Sequence, residues 1–388
     1  MTPDGEIRPF RIEIPQADVD DLHERLRRTR FPGQLPGTGW ERGVPADYLE
    51  ALAETWANDY DWRAEEAKLN AIPQFTTRID GQTIHFLHVR STEPDALPLL
   101  LCHGYPGSFV DYVGLIERLT DPRADGGEAV DAFDVVIPSV PGFGFSTPVT
   151  ETGWEATRSA KAVAELMVRL GYERYGTHGY DVGAGVCVQL GTLVPDAVVG
   201  MHYATDPASL AYLGMLPEPG DDASDAEQAT VERLRGAAED GTGYLRLQST
   251  RPQTIGVGLT DSPTLQLAWI VEKFKEWTDP TRELPEEAVD RDALLTNVSV
   301  YWFTKSGASA AQFIYEAAHA MRDWSRGPEI PTGVSVFDSD PIVRKTLDPE
   351  AQNPHWFEHE RGGHFPSLEV PDLLVDDLRT FFRRVRAE

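Results

Sequence analysis

The segment Gly179-Tyr180-Asp181-Val182-Gly183 leaves few ways for the chain around it to fold. It follows the strand-like run Arg174-Tyr175-Gly176-Thr177-His178 and opens onto a helix-like stretch over residues 185–193. A strand-to-helix turn sharp enough to expose one side chain at its tip needs glycine on both flanks, because the strained backbone leaves no room for neighbouring side chains. The residue at the tip is Asp181. A serine there would form an acyl-enzyme; an aspartate instead attacks an sp3 carbon and makes an alkyl ester of its own side chain. Asp and Gly also populate ordinary turns, so the rest of the chain has to decide.

At 388 residues the chain can bury a large core. Its 63 acidic against 35 basic residues give a net charge of -28, a field that repels phosphate and argues against nucleic acid or an anionic membrane as partner. The first ten residues carry no apolar leader-like run and no stretch is apolar enough to span a bilayer, which points to the cytoplasm. Cys102 and Cys187 are the two cysteines, placed as buried small hydrophobes, and neither a disulfide framework nor a metal site is implied.

Residues 7–14 read as a strand, 18–28 and 45–58 as amphipathic helices, and 76–79 with 83–89 as a hairpin turning on Asp80-Gly81. Apolar runs at 99–102, 135–138, 175–178 and 199–203 then alternate with glycine-rich loops or helices, which implies a mostly parallel sheet with helices on both faces, an α/β fold. Alternation stops between 207 and 328, where 221–239, 265–277 and 293–301 are helical, and resumes at 333–337, 355–360 and a closing helix over 370–383. The expected organisation is an extension over 1–75, the first half of the core over 76–206, a helical cap over 207–328 and the second half over 329–388.

Two further constellations suit a carboxylate nucleophile. His103-Gly104-Tyr105-Pro106-Gly107-Ser108 follows the 99–101 strand, where the backbone N–H of Tyr105 can join that of Val182 in an oxyanion hole. Arg361-Gly362-Gly363-His364-Phe365 places a glycine-flanked histidine after the last strand, the position of a general base. The acid that orients His364 is expected after the preceding strand, where Asp340 is preferred and Asp338 is the rival.

Together with Pro138-Ser139-Val140-Pro141-Gly142-Phe143-Gly144-Phe145-Ser146, these motifs resemble the epoxide hydrolases of the microsomal type. The amino-terminal Ile7-Arg8-Pro9-Phe10, Tyr60-Asp61-Trp62-Arg63 and Leu69-Asn70-Ala71-Ile72-Pro73-Gln74-Phe75 are similar too, so the likeness covers nearly the whole chain and is closest to soluble bacterial-style members. The resemblance implies an α/β-hydrolase fold with an inserted helical cap and an amino-terminal extension wrapping the core. It implies cofactor-free conversion of an epoxide to a vicinal diol through an Asp181 ester, in detoxification or natural-product biosynthesis. Two cap tyrosines should activate the epoxide oxygen: Tyr244, in Gly243-Tyr244-Leu245-Arg246, and Tyr315, in Gln312-Phe313-Ile314-Tyr315. Val182 departs from the Trp that relatives often carry. Trp269, Phe274 and Trp302, with Trp277 and Phe303, are expected to line a pocket for a bulky apolar epoxide, water being the other reactant and homodimerisation left open. A haloalkane or haloacid dehalogenase shares the nucleophile and base, and a non-catalytic ligand-binding homologue shares the fold.

Overall fold

Apolar runs too short for helices pair side by side into one nine-stranded sheet in the computed structural model, which describes residues 5–216, 224–320 and 327–387. The strands are β1 (Arg8–Pro9), β2 (Gln74–Ile79), β3 (Gln82–Val89), β4 (Leu97–Cys102), β5 (Phe133–Pro138), β6 (Tyr175–Gly179), β7 (Val198–Thr205), β8 (Thr332–Val336) and β9 (Trp356–Glu358). Their spatial order is β1-β2-β3-β5-β4-β6-β7-β8-β9. Pairing is antiparallel from β1 through β3 to β5 and parallel from there to β9.

The strand at the centre explains its own composition. Leu99, Leu100 and Leu101 of β4 are all fully buried, and alternate residues join opposite faces: Leu99 and Leu101 one core, Leu100 and Cys102 the other. A strand covered on both sides must be apolar throughout. Helices Ala156–Arg169 and Val182–Leu193 cover one face; helix Pro371–Ala387 covers the other through Phe381 and Phe382. The register Cys102↔Gly179↔Tyr203 aligns the carboxyl ends of β4, β6 and β7, so the loops that follow them share one edge, where open α/β sheets bind ligands.

The expected strand over 7–14 is shortened to Arg8–Pro9. Beyond it the backbone finds side-chain acceptors instead of a neighbouring strand: Ile12 N donates to Asn70 Oδ1 at 2.8 Å and Ile14 N to Glu66 Oε1 at 2.8 Å. The expected 221–239 helix runs over Asp225–Asp240, residues 221–223 lying outside the described residues, as do 1–4. Between β7 and β8 every regular described element is helical. Among the described residues no helix is long and apolar enough to cross a membrane.

The amino-terminal helices Gln16–Arg27, Ala46–Asn58 and Trp62–Asn70 clamp this insertion. Trp56 is fully buried and donates from Nε1 to Ser299 Oγ at 2.9 Å; Tyr60 shares a hydrogen bond with Thr296 at 2.9 Å. Trp56→Ala should therefore cost about 3–5 kcal/mol in urea unfolding, the range for a buried Trp, while Trp56→Phe should cost only about 1–3, chiefly the unpaired Ser299 hydroxyl. Equal losses in the two variants would show that the indole hydrogen bond, and not the packing, holds the clamp.

Candidate active site

The elbow forms where β6 runs out of strand and turns at once into helix Val182–Leu193. Asp181 sits at φ 51° and ψ -124°, a conformation that costs a non-glycine residue about 1–3 kcal/mol and persists only where the surroundings enforce it. The enforcement is visible next door. A Cβ on Gly183 would lie 2.0 Å from the Cys102 carbonyl oxygen, and one on Gly104 would lie 2.6 Å from the Asp181 Cβ. Only glycine allows the elbow to press so closely on the loop after β4.

That loop meets Asp181 directly: Tyr105 N donates to Asp181 Oδ1 at 2.7 Å. Val182 opens the helix, so its N–H has no intrahelical partner, and the positive helix end favours a negative oxygen there. Both residues line a cavity of about 530 Å³ with Asp181, Tyr244, Leu245, Phe313 and Ile314.

His364 approaches from the far side. Its Nδ1 lies 2.9 Å from Asp206 Oδ2, and its Nε2, which has no hydrogen-bond partner, faces Asp181 Oδ2 at 3.8 Å. With Asp206 ionised and the ring neutral, Nδ1 carries the proton and Nε2 is left as the free lone pair on the side of Asp181. Burial alone would lower the His364 pKa; the hydrogen bond and charge of Asp206, helped by Asp181, raise it above its ordinary value. Asp206 is buried as well, yet His364 and the amide and hydroxyl of Ser209 hold its carboxyl below the usual carboxylate range.

The acid beside His364 is therefore neither of those expected. Asp340 caps helix Pro341–Leu347, accepting from Ile342 N at 2.9 Å and from Thr230 Oγ1 at 2.7 Å. Its carboxylate is used up as a helix cap. Asp338 stands at φ 46°, its carboxyl pushed up to about 6 by burial and not hydrogen-bonded to His364. The sequence signal for Asp206 was an aspartate ending an apolar strand and preceding a proline. It follows β7, one strand earlier than β8, which Asp338 and Asp340 follow.

The two tyrosines also part ways. Tyr244, on helix Gly243–Thr250, lays its ring parallel to Tyr105 at 5.9 Å and sits at 5.3 Å from Trp277. Burial, then the nearby Asp181 charge, raise its hydroxyl well above the ordinary value, which keeps it protonated as a donor. Tyr315 is not brought to the cavity. Its ring stacks on His319 at 4.1 Å, while its neighbour Ile314, with Ala317 and Ala318, lines the cavity that Asp181 also borders. One residue along a helix is a rotation of about 100°, enough to change faces.

Of the aromatic residues expected in the wall, Trp269 acts through Tyr105, donating to its hydroxyl at 2.6 Å. Phe274 stacks on Phe365 at 4.2 Å in the core, Trp302 lies under Arg25 at 5.9 Å, and Phe303 packs on Trp62 at 4.8 Å. Trp277 is the aromatic residue next to the chemistry: its ring lies 5.1 Å from His364 and its carbonyl accepts from His364 N at 2.8 Å.

Residues 7–112 match the family model described as epoxide hydrolase N terminus, and residues 98–371 match that of the alpha/beta hydrolase fold. A Stigmatella aurantiaca protein named "Putative epoxide hydrolase" is 44% identical, covering 98% of this chain and 86% of its own. Epoxide hydrolase 1 of Sus scrofa is 32% identical over 97% of this chain and 89% of its own. Among solved structures, juvenile hormone epoxide hydrolase from the silkworm Bombyx mori superposes with a TM-score of 0.85 at 30% identity, over 99% of this chain and 96% of that one. Aspergillus niger epoxide hydrolase gives 0.83 at 33% identity, over 98% and 97%.

The geometry around His364 yields a direct comparison. Asp206→Asn removes the anion that holds the imidazole proton while burial still opposes it, so NMR titration should show the His364 pKa falling. Asp340→Asn should leave it in place. A fall with Asp340→Asn and none with Asp206→Asn would return the orienting role to Asp340.

Proposed function

The chain belongs to the epoxide hydrolase family of the α/β-hydrolase fold, and from that premise we propose that it opens an uncharged, apolar epoxide to a vicinal diol through a covalent ester on Asp181. The observation that carries this reading is a carboxylate at the tip of the elbow, held by Tyr105 N–H and facing an imidazole whose free nitrogen points at it. A serine in that place would favour acyl transfer; a carboxylate suits attack on saturated carbon. The apolar lining from Leu245, Phe313, Ile314 and Ala317 supports an apolar substrate.

In the proposed cycle Asp181 attacks one epoxide carbon as the C–O bond opposite breaks. Tyr244 donates to the departing oxygen, which ends as a hydroxyl, and the phenol regains its proton from water. Alkylation turns Asp181 into a neutral ester and so removes one of the charges that raise the His364 pKa. That favours the neutral imidazole, whose Nε2 lone pair is the base in the next step. His364 Nε2 takes a proton from water, the hydroxide attacks the ester carbonyl, and the N–H groups of Tyr105 and Val182 receive the tetrahedral oxyanion. Collapse breaks the ester C–O bond, His364 returns its proton to the departing diol oxygen, and Asp181, released as the acid, gives its proton to the hydroxide left when the phenol was reprotonated, so the carboxylate is restored.

His364→Gln should alkylate and stop, so intact mass should show the enzyme plus one substrate. Tyr244→Phe should slow alkylation about ten- to a thousandfold, as lost oxyanion donors do, and Tyr315→Phe should stay within about threefold of wild type, as expected for a side chain away from the chemistry. No adduct in His364→Gln while wild type turns over, equal losses in the two tyrosine variants, or halide release outrunning diol formation on a mixed panel of epoxides and chloroalkanes would each contradict the proposal.

A further inference from the structure

A second cavity, of about 330 Å³, lies on the other side of helix Ser306–His319 from the Asp181 chamber. Pro141, Val149, Trp154, Pro252 and Ala308 give it an apolar floor, and Gln253, Gln312 and Glu316 stand among its polar lining. Among the described residues one side chain, Phe313, borders both this cavity and the Asp181 chamber. A phenylalanine that only filled core would meet protein all round. Phe313 has space on two sides and is nonetheless only 3% exposed.

The backbone on either side of that ring is fixed. Ser309 Oγ donates to the Gly142 carbonyl oxygen at 2.5 Å, and Gly142, at φ 96°, lets the loop come so near that a Cβ there would lie 3.3 Å from the Ser309 carbonyl oxygen. The Phe313 ring itself rests edge-on against Phe143 at 5.5 Å, and Phe143 in turn packs at 5.3 Å on His103, the first residue of the loop that carries Tyr105. With the main chain of helix and loop pinned together, the side chain at 313 is the element that separates the two spaces. The lining on the far side suits hydrocarbon, whereas a carboxylate-ended arm would be brought beside Glu316 at a Coulombic cost.

We propose that Phe313 sets the length of substrate this site takes: its ring closes the Asp181 chamber at one end, and the cavity behind it is a latent subsite for an uncharged apolar arm. The proposal rests on the epoxide reading for the identity of the substrate, but its geometric core does not. Each methylene moved from water into an apolar subsite contributes about 0.8 kcal/mol, or roughly a fourfold gain in binding. Opening room for two of them should therefore change a long-to-short preference by at least about tenfold.

The test uses two homologous series with wild type, Phe313→Ala and Phe313→Trp. Calorimetry with uncharged alkanamides, from butyramide to dodecanamide, reads length tolerance without turnover, and terminal epoxides from epoxybutane to epoxydodecane read it through kcat/KM. Amide affinity for wild type should rise and then plateau, the plateau moving to longer chains in Phe313→Ala and staying or shortening in Phe313→Trp. The ratio of kcat/KM for the longest to the shortest epoxide should rise at least about tenfold in Phe313→Ala. If the Ala variant does not fold, Phe313→Val takes its place, with a smaller shift in the same direction. A plateau at the same length in wild type and the smaller variant, or a wild-type affinity that climbs without any plateau, would overturn the proposal. If no epoxide is opened while the amide plateau still moves, the function proposed above fails and the role of Phe313 stands.

Discussion

Everything at the reactive centre depends on how closely the elbow is pressed against the loop that follows β4. Two glycines permit the approach: Gly183 against the Cys102 carbonyl and Gly104 against the Asp181 Cβ. With both contacts made, Asp181 stands at a positive φ of 51°, and its carboxylate accepts from Tyr105 N at 2.7 Å. Helix Val182–Leu193 begins at the very next residue, so its positive end lies beside the same carboxylate. A methyl group at either glycine would push the Asp181 turn away from the loop that carries the Tyr105 N–H, so the position and the hydrogen bonding of this carboxylate are set by one packing constraint.

His364 extends that arrangement through charge. It is buried between two carboxylates, one hydrogen-bonded at Nδ1 and one facing Nε2, and in a low-dielectric site these outweigh the desolvation that would otherwise strip its proton. Tyr180, the residue before Asp181, stands edge-on to the imidazole at 5.5 Å, and the Trp277 ring lies 5.1 Å from it. The imidazole thereby meets aromatic rings on its ring atoms and Asp206 at one nitrogen.

Much of this was legible in the residues. The α/β architecture followed from apolar runs alternating with helices, and the elbow from glycines flanking an acid. What failed to show was whatever depends on spatial neighbours. Asp206, Asp338 and Asp340 all follow a parallel strand at the same edge of the sheet, and one sequence does not say which carboxylate reaches the imidazole after β9. In the structure Asp340 is drawn away by the first turn of a helix and by Thr230. Tyr315 failed for a rotational reason: a tyrosine in a similar local context sits one helical step away from the face that meets Asp181. The expected strand over 7–14 failed because Asn70 and Glu66 take over as acceptors, and nothing local in 7–14 announces them.

The central claim is that the carboxylate of Asp181, and not a water molecule, attacks the substrate carbon. The most direct measurement is a single turnover with enzyme in excess in heavy-oxygen water, followed by mass analysis of the diol and of the peptide carrying Asp181. Attack by the carboxylate predicts that the first diol takes its oxygen from Asp181, leaving the label in that side chain. Label in the first diol, with none in the peptide, would mean direct attack by water and would contradict the account.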